Sequence, residues 1–149
     1  MAVLVAVDET ERSKRAVETA YDLATACDEP LIALHVVPQE DFEAHQEAIT
    51  EIPGFTNYSL DQQESAAREF ARRFVTETLG EVEIDRLEVR GRVGDIPTSI
   101  LDVVEALTPR YLVIAGRRRS PTRKALFGDT AQNILLNADC PVVTCLGEE

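Results

Sequence analysis

Residues 110–138, RYLVIAGRRRSPTRKALFGDTAQNILLNA, pass from an apolar strand pattern through a basic turn into a helical pattern. The apolar run 110–115 reads as a buried strand, and 129–138 as a helix entered at Gly128. Gly116 and Gly128 stand at the two ends of the connection, where glycine permits close backbone approach or positive φ. Free N–H groups at the start of the last helix can hold phosphate oxygens. Arg117, Arg118, Arg119, Arg123 and Lys124 put five positive charges into eight residues of a chain whose net charge is −12. Such a cluster points to a phosphate-bearing ligand. The plainer reading is a solvated loop whose arginines pair with neighbouring acids.

The alternation extends back to the N-terminus. Residues 2–7 (AVLVAV) and 31–37 (LIALHVV) are short continuous apolar runs, as parallel strands covered on both faces require. Between them Thr10 is placed to cap a helix that reaches about Cys27, with Ala16, Val17, Ala20, Leu23 and Ala24 inward and Pro30 as its stop. Residues 38–59 show no sustained period and read as a long loop. A long helix is expected over 61–79, ending at Gly80, with Ala67, Phe70, Ala71, Phe74 and Val75 inward. Strands are expected at 85–90 and 141–146, and a further helix near 95–107. The result is an α/β fold, a five-stranded parallel open sheet with helices on both faces and right-handed crossovers, built as a single domain over 1–149. Ligands on such sheets bind beyond the carboxyl ends of the strands, where the strand order reverses. That places Asp8, Val36 to Pro38, Gly91 to Gly94 and Gly116 onward at the ligand edge.

Composition narrows the function. The 149 residues carry 27 acids against 15 basic residues, which argues against a general binder of nucleic acid or anionic membrane. The basic residues are almost all arginine, with lysine only at positions 14 and 124. Acid excess with little lysine suits a hydrated surface for high salt; an acidic mesophilic protein from a GC-rich genome would look similar. Cys27, Cys140 and Cys145 are scattered, with neither a disulfide nor a zinc spacing. The start of the chain lacks a basic leader, and no apolar run approaches the ~18 residues of a membrane span. A cytoplasmic protein is expected.

Catalytic signals are few. His35 lies in an apolar strand and reads as a satisfied core histidine; His45, with Glu43 and Glu47, makes a faint metal pattern. Ser120 and Thr122 are phosphoacceptor candidates in a basic loop. No Ser-His-Asp arrangement, GxxxxGK[ST] loop or GxGxxG is present. Residues 141–146, as the last strand, have no later strand to cover them, and pairing with a second copy would close that edge.

Several segments together resemble the universal stress protein family: the first strand ending at Asp8, LIALHVV, VGDIP at 93–97, the LVIAGRRRSP loop, GDTAQNILL and the closing CPVVTC. The resemblance covers nearly the whole chain. It implies a Rossmann-like sheet of the adenine nucleotide alpha hydrolase type, a homodimer that pairs strand 141–146, and in some members ATP binding, accompanied by Mg2+. By resemblance Ala6, Val7, Asp8 and Val36 lie near the nucleoside, with Ala115 on the other side. Nucleotide-binding members carry Gly-x-x-Gly, nine residues, then Gly followed by Ser or Thr. Gly116 and Gly128 match the first and last glycines. Arg119 takes the second glycine's place, the spacing is one residue shorter, and Asp129 stands where the hydroxyl residue is expected, with Thr130 next. A carboxylate at the positive helix end repels phosphate; a one-residue shift would let Thr130 serve, with Arg117 and the other arginines offsetting Asp129. Three functions follow: an adenine-nucleotide-binding stress-response module, a dimeric scaffold of the same family without nucleotide, and an enzyme on the same scaffold.

Overall fold

The computed structural model describes residues 1–50, 59–80, 86–117 and 128–147, the side chains of 49, 50 and 117 excepted. Its elements are β1 (Val3–Ala6), α1 (Glu11–Cys27), β2 (Leu31–Val37), α2 (Gln39–Thr50), α3 (Leu60–Leu79), β3 (Leu87–Val93), α4 (Ile96–Leu107), β4 (Tyr111–Arg117), α5 (Asp129–Asn137) and β5 (Val142–Gly147). All strand pairs are parallel, in the order β3-β2-β1-β4-β5. The chain builds outward from β1 to β3, then returns to the other side of β1 with β4. The order therefore reverses between β1 and β4.

The continuous apolar strands serve two cores, because successive side chains point to opposite faces. Val3, Val5, Leu31, Ala33 and Val113 face α1 and α3, where Ala16, Val17, Ala20, Ala71 and Val75 meet them. Leu4, Ile32, Leu34, Leu112 and Ile114 face α4 and α5, against Ile100, Val103, Val104 and Ile134.

Four expectations need correction. Residues 39–50 are helix α2 rather than loop. Glu40 and Asp41 favour its first turn, and the Pro38 carbonyl accepts from the N–H groups of Asp41 and Phe42. Phe42 alone of its described side chains is buried, so its stripe is too thin to show as a period. The remaining 51–58 lie outside the described residues. Thr10 does occupy the N-cap of α1, but its side chain makes no cap bond; its hydroxyl donates to Asp8 Oδ1 instead. α3 begins at Leu60 on a capping box, in which Ser59 Oγ accepts from the Gln62 N–H and Gln62 Oε1 from the Ser59 N–H. β3 runs through Gly91 to Val93, further than its expected end at 90.

Gly91 can sit in a strand because α3 lies almost on its backbone. A Cβ there would stand 2.4 Å from the Glu64 carbonyl oxygen and 2.9 Å from the Arg68 nitrogen. The two sheet edges differ in kind. β3 carries Glu88, Arg90 and Arg92, with Arg90 paired to Glu88 at 2.7 Å. β5 carries half-buried Val142, Val143 and Leu146. At the amino ends of the strands, Glu29 accepts from Arg110 at 3.0 Å and lies 3.5 Å from the N-terminal amine. The Arg110 hydrogen bond, above all, holds the Glu29 carboxyl below its ordinary value.

Candidate functional site

Where β1 and β4 part at their carboxyl ends, the described walls close round about 90 Å³ of cavity. β1 and the turn after it supply Ala6, Val7 and Asp8; β2 supplies Leu34 and Val36; β4 supplies Ile114 and Ala115. Ile96 and Ile100 come from α4, one turn apart, and Thr130, Ala131 and Ile134 from α5. The slot is apolar, with Asp8 its single titratable side chain among the described residues. Its volume is below the ~300–1,000 Å³ of sites that engulf a drug-sized ligand, so these walls fit one flat end of a molecule.

Asp8 is fixed locally. Its Oδ1 accepts from the Thr10 N–H at 2.8 Å and the Thr10 hydroxyl at 2.5 Å, while its own N–H donates to Ser13 Oγ at 3.0 Å. These bonds tie Asp8 to the start of α1, and they leave Oδ2 without a hydrogen bond among the described residues. The N-termini of α4 and α5, the two helices that line the slot, are unlike. Asp95 caps α4, accepting from the Thr98 N–H at 3.2 Å and hydroxyl at 2.6 Å. α5 has Gly128 at its N-cap and no side-chain cap bond, so among the described residues no side chain caps its first N–H groups. A neighbouring cleft shares Ile96 and Thr130 with the slot, and Glu40 and Asp95 make its lip acidic. Carboxylates there make that side of the slot unfavourable for an anion.

Of the residues expected at the site, Ala6, Val7, Asp8, Val36, Ala115 and Thr130 line the slot. Gly116 is not part of the lining but faces the same side of the sheet: a Cβ there would meet Leu146 Cδ2 at 3.1 Å, Thr144 Cγ2 at 3.4 Å and the Cβ of Ala131, a slot residue, at 3.7 Å. Gly128 and Asp129 open α5 beside Thr130 without lining the slot. Arg117 ends β4, its side chain outside the description. Arg118, Arg119, Ser120, Thr122, Arg123 and Lys124 lie outside the described residues. Sequence reasoning missed Leu34, Ile96, Ile100, Ile114, Ala131 and Ile134. Their signal was the α4 and α5 stripes laid on the sheet face that carries Val36.

His35 is the satisfied core histidine expected. Its Nδ1 lies 2.8 Å from the Val7 carbonyl, which can only accept, so Nδ1 carries the proton; its ring centroid is 4.2 Å from that of Phe70, on the face away from the slot. On α2 the spacing separates His45 from Glu43 and Glu47, and no metal-holding group of three or more His, Cys, Asp or Glu occurs among the described residues. No described helix is long and apolar enough to cross a membrane.

An apolar slot at the reversal of a five-stranded parallel sheet, beside an uncapped helix start, defines an α/β protein of the nucleotide-binding architecture. The model of the universal stress protein family matches residues 1–145, and the chain belongs to that family. Comparison with curated protein sequences returns no match. Solved structures share the fold. The universal stress protein UspA from Lactobacillus plantarum is 20% identical over 97% of each chain, with a TM-score of 0.71. A universal stress protein in complex with cAMP is 17% identical over 97% of this chain and 95% of its own, TM-score 0.64. The protein from Archaeoglobus fulgidus in complex with dAMP is 19% identical over 97% and 96%, TM-score 0.58.

Proposed function

We propose that this chain binds an adenine nucleotide, ATP being the form its basic loop suits, and acts as a regulatory stress-response module in the cytoplasm. The observation that carries the reading is the convergence of Ala6, Val7, Asp8, Val36, Ala115 and Thr130 on one apolar slot beside the uncapped start of α5. The adenine lies in the slot, and Asp8 Oδ2 accepts from a nucleoside hydroxyl. The phosphates turn towards the N–H groups of α5, the Thr130 hydroxyl and the arginines that follow β4, with Mg2+ as the polyphosphate's companion. The cAMP and dAMP complexes of family neighbours support an adenine ligand. A slot whose one titratable side chain already serves Thr10 favours binding over catalysis.

Isothermal calorimetry with ATP on nucleotide-free protein, in moderate and in multimolar potassium chloride, tests this. Saturable binding of one ATP per chain is expected, and absence of binding in both salts from folded protein sinks it. Asp129 sits in the first turn of α5, where a carboxylate competes with phosphate. Repulsion between an exposed carboxylate and a phosphate beside it is worth up to about 1 kcal/mol, so Asp129→Ser is expected to tighten ATP binding up to about fivefold. Asp129 also favours the second reading, a scaffold that has given up nucleotide; there Asp129→Ser alone would create affinity.

The same proposal includes a homodimer through β5, whose outer edge pairs with no strand among the described residues. Sedimentation equilibrium is expected to give twice the 16.5 kDa chain mass; a single-chain mass at high concentration would remove the dimer.

A further inference from the structure

On the sheet face away from the slot, α1 and α3 lie side by side and leave a groove of about 520 Å³ between them. Half-buried Phe70 and buried Phe74 form its floor, their rings stacked with centroids 5.8 Å apart. Glu9, Glu11 and Glu18 stand on the α1 side, and Glu77 on the α3 side. Glu11 is paired with Lys14 at 3.0 Å. Glu9, Glu18 and Glu77 have no cation within ion-pair reach among the described residues.

An aromatic floor seeks an apolar anchor, and unpaired carboxylates round it select the charge of whatever carries that anchor. Arginine would serve twice over, since its guanidinium stacks on aromatic faces and pairs with carboxylates. Nucleic acid and anionic lipid are repelled by the same rim. We propose that the α1–α3 groove docks a basic amphipathic helical segment of a partner protein, with one apolar side chain on Phe70 and Phe74 and its Lys or Arg residues on Glu9, Glu18 and Glu77. This rests on the groove alone and stands whether or not nucleotide binds.

The test is fluorescence anisotropy of the full chain with a fluorescein-labelled Lys/Leu amphipathic peptide of about four helical turns. Two comparisons separate docking from general attraction between opposite charges. Glu18→Gln with Glu77→Gln is expected to weaken saturable binding about tenfold, as loss of two charge-assisted contacts implies. The charge-matched pair Asp102→Asn with Glu105→Gln, on exposed positions of α4, is expected to change it less than about twofold, as screened exposed charges do. A Lys/Ser peptide of equal charge is expected to bind about tenfold more weakly for want of the anchor. Equal losses in the two double variants, equal binding of the two peptides, or no saturable binding would each overturn the proposal. Self-association of the chain that is lost in Glu18→Gln with Glu77→Gln, read by sedimentation, would give the groove to a second copy and overturn it as well.

Discussion

Replacing Gly91 with alanine is expected to lower the melting temperature by about 5–10 °C, read by circular dichroism. Gly91 pairs in register with His35 in the middle of β3, under α3. Its missing Cβ would meet the Glu64 oxygen at 2.4 Å, the Ala67 Cβ at 2.7 Å and the Arg68 nitrogen at 2.9 Å. Two of these are helix backbone and the third a methyl, so no rotamer change relieves them. Either α3 lifts from Ala33 and Val89 or the edge strand shifts out of register. Overpacking of this kind costs about 2–3 kcal/mol, each kcal/mol being worth about 2–4 °C at this size. An unchanged melting temperature would mean that α3 does not approach β3 as closely as described.

The second large effect is on ligand. Gly128→Val is expected to reduce ATP binding more than tenfold while leaving a folded protein. A Cβ at Gly128 meets nothing within 4 Å among the described residues, and the φ of −69° suits any residue, so the described fold makes no demand for glycine here. Valine is a poor N-cap, costing about 1 kcal/mol of stability. A branched side chain at that position stands over the free N–H groups of α5, where a phosphate would approach. Calorimetry on the variant, with its melting curve as control, reads both. Undiminished ATP binding would place the phosphates elsewhere; with Gly91 the contrast is between a glycine that the fold needs and one that only a ligand needs.

Much of this architecture was legible because the strands carry both cores. A strand buried on two faces must be apolar at every position, and residues 31–37 coincide with β2 to the residue. The Ala67, Ala71, Phe74 and Val75 stripe was equally plain for the same reason. α2 escaped because one buried phenylalanine does not make a period, and the Ser59–Gln62 capping box was present in the sequence but unread. Gly91 was placed just beyond its strand because closeness between a strand and a helix more than twenty residues earlier leaves no local mark. At the slot, the residues named from sequence were those at strand ends, with Thr130 at the start of α5. Ile96, Ile100 and Ile134 were not, since a pocket wall and a core stripe use the same side chains.

The unlike edges of the sheet bear on how the chain can multiply. β3 is guarded by charge, and β5 is not. An open fibre of sheets needs two welcoming edges on each unit, so that every addition exposes another. With one such edge, pairing about a two-fold axis consumes the only invitation that each chain offers. On the proposed dimer, growth by that route would stop at two, and the charged β3 edge would act as a terminator against sheet extension.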